Sequence, residues 1–231
     1  VWALSAWNIY LATGDMDWLQ KAYDIIGRSL EADFVVVYNP QTGLFRGESS
    51  FIDWREQSYP VWAQPADIYM SECLGTNAAY YGVLKVMEDM ATVLGKKKDV
   101  KKYGQKAEAL KKAINDNFWV EEDGYYASYL YGRQNLTRTQ QSETLGESFC
   151  VLFGIADEER AAKVISSMPV GEFGPPIFSP QIVSQGDYHN NGVWPYVTSF
   201  WGKAAAEAEN EKALMHALAC NVRTASIYAT N

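Results

Sequence analysis

The strongest constraint on this chain is a recurring order of segments: a helix, a short turn, a second helix, then a longer extended excursion. Val1 to Ala12 reads as the first helix. Thr13-Gly14-Asp15 turns the chain, and Asp15 or Asp17 caps the next helix. That helix sets Trp18, Leu19, Ala22, Tyr23, Ile26 and Leu30 on one stripe at helical spacing. Tyr38-Asn39-Pro40-Gln41-Thr42-Gly43 then turns into an extended Leu44-Phe45-Arg46-Gly47. The plan repeats. A helix is expected from about Ala66 to Leu94 and ends at Gly95, and another runs from Asp99 through Asn117. The turn Glu121-Glu122-Asp123-Gly124 leads into Tyr125 to Tyr129, so both units close on a Gly-bearing turn and a short aromatic strand pair. A third unit spans Ser142 to Phe153, turns at Gly154 to Asp157, continues as a helix to Ser167 and leaves through a Gly/Pro-rich excursion, Gly171 to Gln185. A fourth opens at Pro195, a first-turn proline, runs through Ala208, turns at Glu209-Asn210 and reaches about Val222. Roughly four helical hairpins result, and an all-α layered array follows because each amphipathic helix needs a partner face. Long connections leaving one end of such an array converge on one pocket.

One of these excursions is rich in chemistry. Gly47 to Pro60 holds the carboxylates Glu48, Asp53 and Glu56 together with Arg55 and Trp54, and Trp62 follows. Carboxylates beside an aromatic suit sugar chemistry, since the acids move protons and a flat ring stacks on a pyranose. The plain alternative is a solvated loop whose charges pair with each other and whose tryptophan caps a core. Arg55 either binds hydroxyls or holds a neighbouring carboxylate ionised. Trp54 and Trp62 are either sugar platforms or core residues. Tyr125, Tyr126, Tyr129, Tyr131 and Arg133 either line a cleft, with Tyr126 and Arg133 the candidate contacts, or cover the end of the array. Glu143 and Glu147 open a helix, where the helix dipole favours acids; Glu143 is also a fallback catalytic base.

Composition excludes several classes. A net charge of -8 leaves no basic patch for nucleic acid, and the lysines at 96–98 and 101–102 read as a solvated turn. Cys73, Cys150 and Cys220, an odd set without close spacing, read as buried thiols rather than disulfides or a zinc site. Only His189 and His216 offer imidazole, so neither a metal centre nor a cofactor is expected. No run approaches the ~20 apolar residues of a membrane span. Aromatics at 14%, with 8 Trp and 15 Tyr, suit a carbohydrate cleft or a core of large rings. Asn135-Leu136-Thr137 is a glycosylation sequon of a kind that often arises by chance. The chain opens without methionine, apparently inside a helix, and is read as one part, residues 1–231, of a single domain truncated at both ends. Its location is left open, with a periplasmic or secreted one favoured should the full chain carry a signal peptide. Oligomeric state is not readable.

Tyr188-His189-Asn190-Asn191-Gly192-Val193-Trp194-Pro195 resembles the Tyr-His-x-Gly-x-x-Trp-Pro segment of six-hairpin glycosidases, with one extra asparagine. In particular it is similar to the glucosidase domain of glycogen-debranching enzymes and their bacterial relatives. Phe51-Ile52-Asp53-Trp54 also resembles the general-acid loop of that superfamily. Related α-glucosidases carry Glu-Ser-Gly-x-Asp where this chain has Glu48-Ser49-Ser50-Phe51-Ile52-Asp53, one residue longer. The resemblance implies an (α/α)6 toroid, here a partial barrel with short β-hairpin excursions. It implies hydrolysis of O-glycosidic bonds of oligo- or polysaccharides with inversion, by an acid and a base ~6.5–9.5 Å apart. Asp53 is then the acid, with Glu56 the runner-up and Glu48 an acceptor for substrate hydroxyls. The base falls at or beyond Asn231. His189 and Asn191 either donate to sugar hydroxyls or fix the loop, and Trp194 walls the subsite. The alternative function is a non-catalytic carbohydrate-binding or scaffolding toroid. Terpene cyclases would need Asp-rich magnesium motifs and zinc cyclases a Cys/His triad, and neither motif is present. A uronic-acid lyase sits poorly with the acidic balance.

Overall fold

In the computed structural model, residues 2–47, 59, 62–132, 135–181 and 190–228 are described. The first hairpin is α1 (Trp2–Thr13) and α2 (Met16–Val36). Gly14 takes a left-handed φ of 68° between them, and Asp15 accepts the Trp18 amide at 2.9 Å as N-cap. The Trp18 indole donates to the Ala6 carbonyl at 2.9 Å, which ties the two helices. The next pair is α4 (Leu74–Val93) with α5 (Lys97–Phe118), preceded by the short α3 (Pro65–Met70). Then come α6 (Thr144–Leu152) with α7 (Glu158–Ser167), and α8 (Pro195–Glu207) with α9 (Glu211–Tyr228). Among the described residues the hairpins expected from the repeat are all present.

The helices divide into two rows. In α5 only a stripe is buried, including Tyr103, Ala107, Leu110, Ile114 and Phe118. In α6 every residue from Thr144 to Val151 is buried. A helix covered on all sides lies inside the array, and a striped one outside. The inner row is α1, α4, α6, α8, each packed on the next; α2, α5, α7 and α9 lie outside it. All the cysteines are buried free thiols. No described helix is long and apolar enough to cross a membrane.

Nine short strands decorate the helices: β1 (Tyr38–Asn39), β2 (Leu44–Phe45), β3 (Glu72–Cys73), β4 (Trp119–Val120), β5 (Tyr125–Tyr126), β6 (Tyr129–Tyr131), β7 (Thr137–Arg138), β8 (Ser142–Glu143) and β9 (Phe178–Ser179) among the described residues. The aromatic strand pairs expected after each outer helix share one geometry. Tyr38 opposes Phe45 around Gly43, and Trp119 opposes Tyr126 around Gly124, with φ of 76° and 71° at the glycines. Each ribbon is clamped by a buried polar side chain from the following inner helix. Asn77 accepts the Phe45 amide at 2.7 Å and donates to the carbonyls of Phe45 at 3.0 Å and Cys73 at 2.9 Å. Glu147 accepts the Tyr126 amide at 2.8 Å.

The expected helix from Ala66 to Leu94 is broken. The chain leaves α3 at Met70, extends through Ser71 and pairs as β3 with β6, Glu72 opposite Leu130 and Cys73 opposite Tyr129. No proline or glycine marks this break, because the strand partner, almost sixty residues away, makes it. The break exposes an internal repeat. Ser71-Glu72-Cys73-Leu74-Gly75 and Ser142-Glu143-Thr144-Leu145-Gly146 each run from a strand into an inner helix.

Candidate active site

The entrances to the inner helices are linked by one band of backbone hydrogen bonds. The Leu74 amide donates to Ser128, the Ser128 amide to Gln141, the Thr144 amide to Ile177 and the Ile177 amide to Gly192, all between 2.8 and 3.0 Å. Every excursion that enters α4, α6 or α8 is therefore stitched to the next. The helix entrances abut at the same level. A Cβ added to Gly146 would lie 3.0 Å from the Gly75 nitrogen and 3.2 Å from its Cα. The long connections thus meet at one rim, the N-terminal end of the inner row.

Asp53 and Glu56, with Glu48, Trp54 and Arg55, lie outside the described residues, as do Arg133 and His189. Their flanks are placed. The Gly47 amide donates to the Ser71 carbonyl at 2.8 Å, directly before β3. Tyr59, 3% exposed, packs its ring 4.9 Å from Tyr129 and 6.5 Å from Tyr131 on β6. Both flanks of the acid-bearing stretch thus rest on the β3–β6 pair. The histidine-bearing stretch leaves just after β9 and returns at Asn190, which is buried, with Gly192 bonded to Ile177. Asn191 is exposed, and Trp194 is half-buried at the N-cap of α8, its ring 5.7 Å from Tyr196. Trp62 is 58% exposed and meets Tyr131 edge-on at 5.8 Å, so it stands free for stacking.

Two expected contacts are core groups instead. Tyr126 is fully buried; its ring packs on Trp119 and its hydroxyl donates to Asn115 at 2.7 Å. Its strand packs on α7, and its hydroxyl reaches Asn115 of α5. Glu143 is 2% exposed and Glu147 1%. Burial pushes Glu143 up to about 7 against the pull of the Gly146 and Leu145 amides. Burial pushes Glu147 up to about 8, opposed by the Tyr126 amide and reinforced by Glu143. Both carboxyls are enclosed, so neither meets a water at the surface in this structure. Glu72, the counterpart of Glu143 in the repeat, is also buried and raised; it accepts from Asn39 at 2.7 Å and Thr42 at 2.8 Å. Reading the acids of the third unit as dipole-favoured residues at a helix start did not reveal their burial. The repeated Ser-Glu-x-Leu-Gly was the available signal.

A cavity of about 370 Å³ opens at the opposite end of the inner row, beside Val151, Asp157, Glu207 and Glu209, with no aromatic ring in its lining. It lacks the stacking surfaces that sugar recognition uses. Among the described residues no cluster of His, Cys, Asp and Glu could hold a metal ion.

Residues 1–171 match the model of the bacterial alpha-L-rhamnosidase six-hairpin glycosidase domain. The chain belongs to that family. The expected likeness to six-hairpin glycosidases holds, but the kinship lies with rhamnosidase domains rather than with glycogen-debranching enzymes. No curated protein matches the chain. Among solved structures, the GH78 family rhamnosidase of Bacillus sp. GL1 aligns with 99% of the chain at a TM-score of 0.68 and 18% identity. A protein described as a sialidase aligns with 90% at 0.71 and 16% identity. The rhamnosidase from Klebsiella oxytoca with rhamnose bound aligns with 98% at 0.59 and 14% identity. The chain spans 21%, 19% and 36% of those chains respectively, so these likenesses speak for the fold.

Proposed function

We propose that the chain forms part of a catalytic domain that hydrolyses α-L-rhamnosidic bonds with inversion, Asp53 acting as general acid. The observation that carries the reading is the single rim. The flanks of stretches 48–58 and 182–189, which hold the acid and histidine motifs, lie at this rim: Gly47 is bonded to Ser71, Tyr59 packs on Tyr129 and Tyr131, and Gly192 is bonded to Ile177. The family supports rhamnose as the sugar, and a rhamnosidase of similar fold was solved with that sugar bound. Glu56 is the alternative acid. Glu48, Arg55, His189 and Asn191 suit sugar hydroxyls, and Trp54, Trp62 and Trp194 suit ring faces. The base is supplied by residues other than the buried Glu143.

The test uses the full-length protein and follows rhamnose release from an unactivated alkyl or oligosaccharide α-L-rhamnoside, with a nitrophenyl α-L-rhamnoside as the activated comparison. Loss of the general acid lowers turnover by roughly 10²–10⁴. Asp53→Asn should show that loss while a substrate with an activated leaving group is spared. Near wild-type turnover in Asp53→Asn rejects Asp53, and the same loss in Glu56→Gln then transfers the role. Proton NMR of the first-formed rhamnose anomer reads the stereochemistry; retention would refute the inverting scheme.

A further inference from the structure

Glu143 and Glu147 sit one helical turn apart at the entrance of α6, both enclosed, each with one carboxyl oxygen, Oε2, that finds no partner. Among the described residues the groups around them carry no positive charge. β6 brings the Tyr129 hydroxyl, β5 the Tyr125 hydroxyl and the Tyr126 amide, α6 the Cys150 thiol, and α4 the Gly75 backbone. Beyond Tyr125, β7's Arg138 faces that tyrosine's hydroxyl. No described lysine, arginine or histidine acts on either carboxyl. Two like charges cannot be held one turn apart in such a place without a counter-ion. Space is closed as well, since the Gly75–Gly146 joint leaves no room for a methyl group. Glu143 also belongs to β8, opposite Phe178 of β9, one residue beyond the Ile177 amide that holds Gly192.

We infer that Glu143 and Glu147 are a proton-bearing positioning pair, and that its ionisation loosens the β8–β9 ladder and the Gly192 anchor at the rim. The pair works as two neutral acids that let α6 close on α4. Removing a proton places an unpaired charge in the joint, and the cheapest relief is to open β8 to water.

The sign follows from the raised folded-state values. The unfolded acids titrate near the ordinary carboxylate value, so the stabilising effect of the proton is full below it. It drains away as pH rises towards about 7 for Glu143 and about 8 for Glu147.

Hydrogen exchange of the full-length protein tests this on peptides covering 142–152 and 175–181, comparing wild type with Glu147→Gln at each pH. Near pH ~4 the two should protect alike; near pH ~9 wild type should exchange at least tenfold faster, because the amide cannot ionise. Parallel pH profiles would overturn the inference. Should Glu147→Gln not fold, infrared spectra of wild type decide: a buried carboxylic-acid carbonyl band present at the lower pH and lost at the higher supports the pair, and its absence at the lower pH overturns it. The exchange arm needs no activity. Silence on α-L-rhamnosides with the expected exchange profile would sink the rhamnosidase reading and leave this one standing.

Discussion

Gly146→Ala tests whether the inner row closes on backbone. In an ordinary helix interior this substitution stabilises by about 1 kcal/mol, because glycine loses more freedom on folding than alanine. At residue 146 the new methyl would sit 2.7 Å from Glu143 Oε2, 3.0 Å from the Gly75 nitrogen and 3.2 Å from its Cα. Two of those atoms are main chain of α4 and cannot rotate away. The Glu143 carboxyl as a whole is drawn to the Leu145 and Gly146 amides, so displacing it weakens those contacts. Overpacking of this kind costs about 1–3 kcal/mol, more where backbone must shift, so the net expectation is a loss of about 1–2 kcal/mol or more. Gly27 is the matched control. It also lies within a helix, but its methyl would meet the Tyr103 hydroxyl at 3.4 Å and the Met87 terminal carbon at 3.6 Å, ordinary contact distances. Gly27→Ala should gain about 0.5–1 kcal/mol. Urea midpoints at constant slope, followed by tryptophan fluorescence, report both. Equal signs for the two variants would refute the account of the joint.

Asn77→Ala removes three buried hydrogen bonds to Phe45 and Cys73 and should cost about 3 kcal/mol or more, read from the same midpoints. Tyr126→Phe loses one bond to Asn115, whose Oδ1 keeps the Arg160 guanidinium at 2.6 Å; about 1 kcal/mol of stability should go while KM stays unchanged. Trp62→Ala should leave stability within about 0.5 kcal/mol yet raise KM for an oligosaccharide roughly three- to tenfold, and an unchanged KM would remove Trp62 from the binding surface.

The hairpins were legible because their signal is local. Leu19, Ala22, Tyr23, Ile26 and Leu30 fall on one helical stripe, and those residues are the buried ones in α2. Gly95, Gly124 and Gly154 each take the left-handed φ, 69–71°, that a turn at those positions demands. The break at Ser71 was not legible. A two-residue strand has almost no pattern of its own, and β3 exists only because β6 lies beside it. The fate of Glu143 and Glu147 was hidden for the same reason. An acid in the first turn of an exposed helix is a surface group; here strands fold over the helix entrance and enclose it. Tyr126 shows the converse, a residue of the right type in the right ribbon whose outward or inward sense depends on register.

The rim carries a consequence for any acid placed there. The entrances of α4, α6 and α8 meet at this end, and helix N-termini favour ionised carboxylates by about 0.3–1 kcal/mol each, under one pKa unit. Glu143 lies directly before α6 with amides facing it, yet burial still drives it up to about 7. Desolvation therefore outweighs the helix ends at this location, and protonation here is decided by what covers a carboxyl. A general acid must be protonated when substrate arrives, so it needs an apolar cover that a general base must lack. Tyr59, Tyr129 and Tyr131 form such a surface where the acid-bearing stretch rejoins the described chain. If Asp53 is the proton donor as proposed, the tyrosine surface on the β3–β6 side of the rim offers the cover its proton needs.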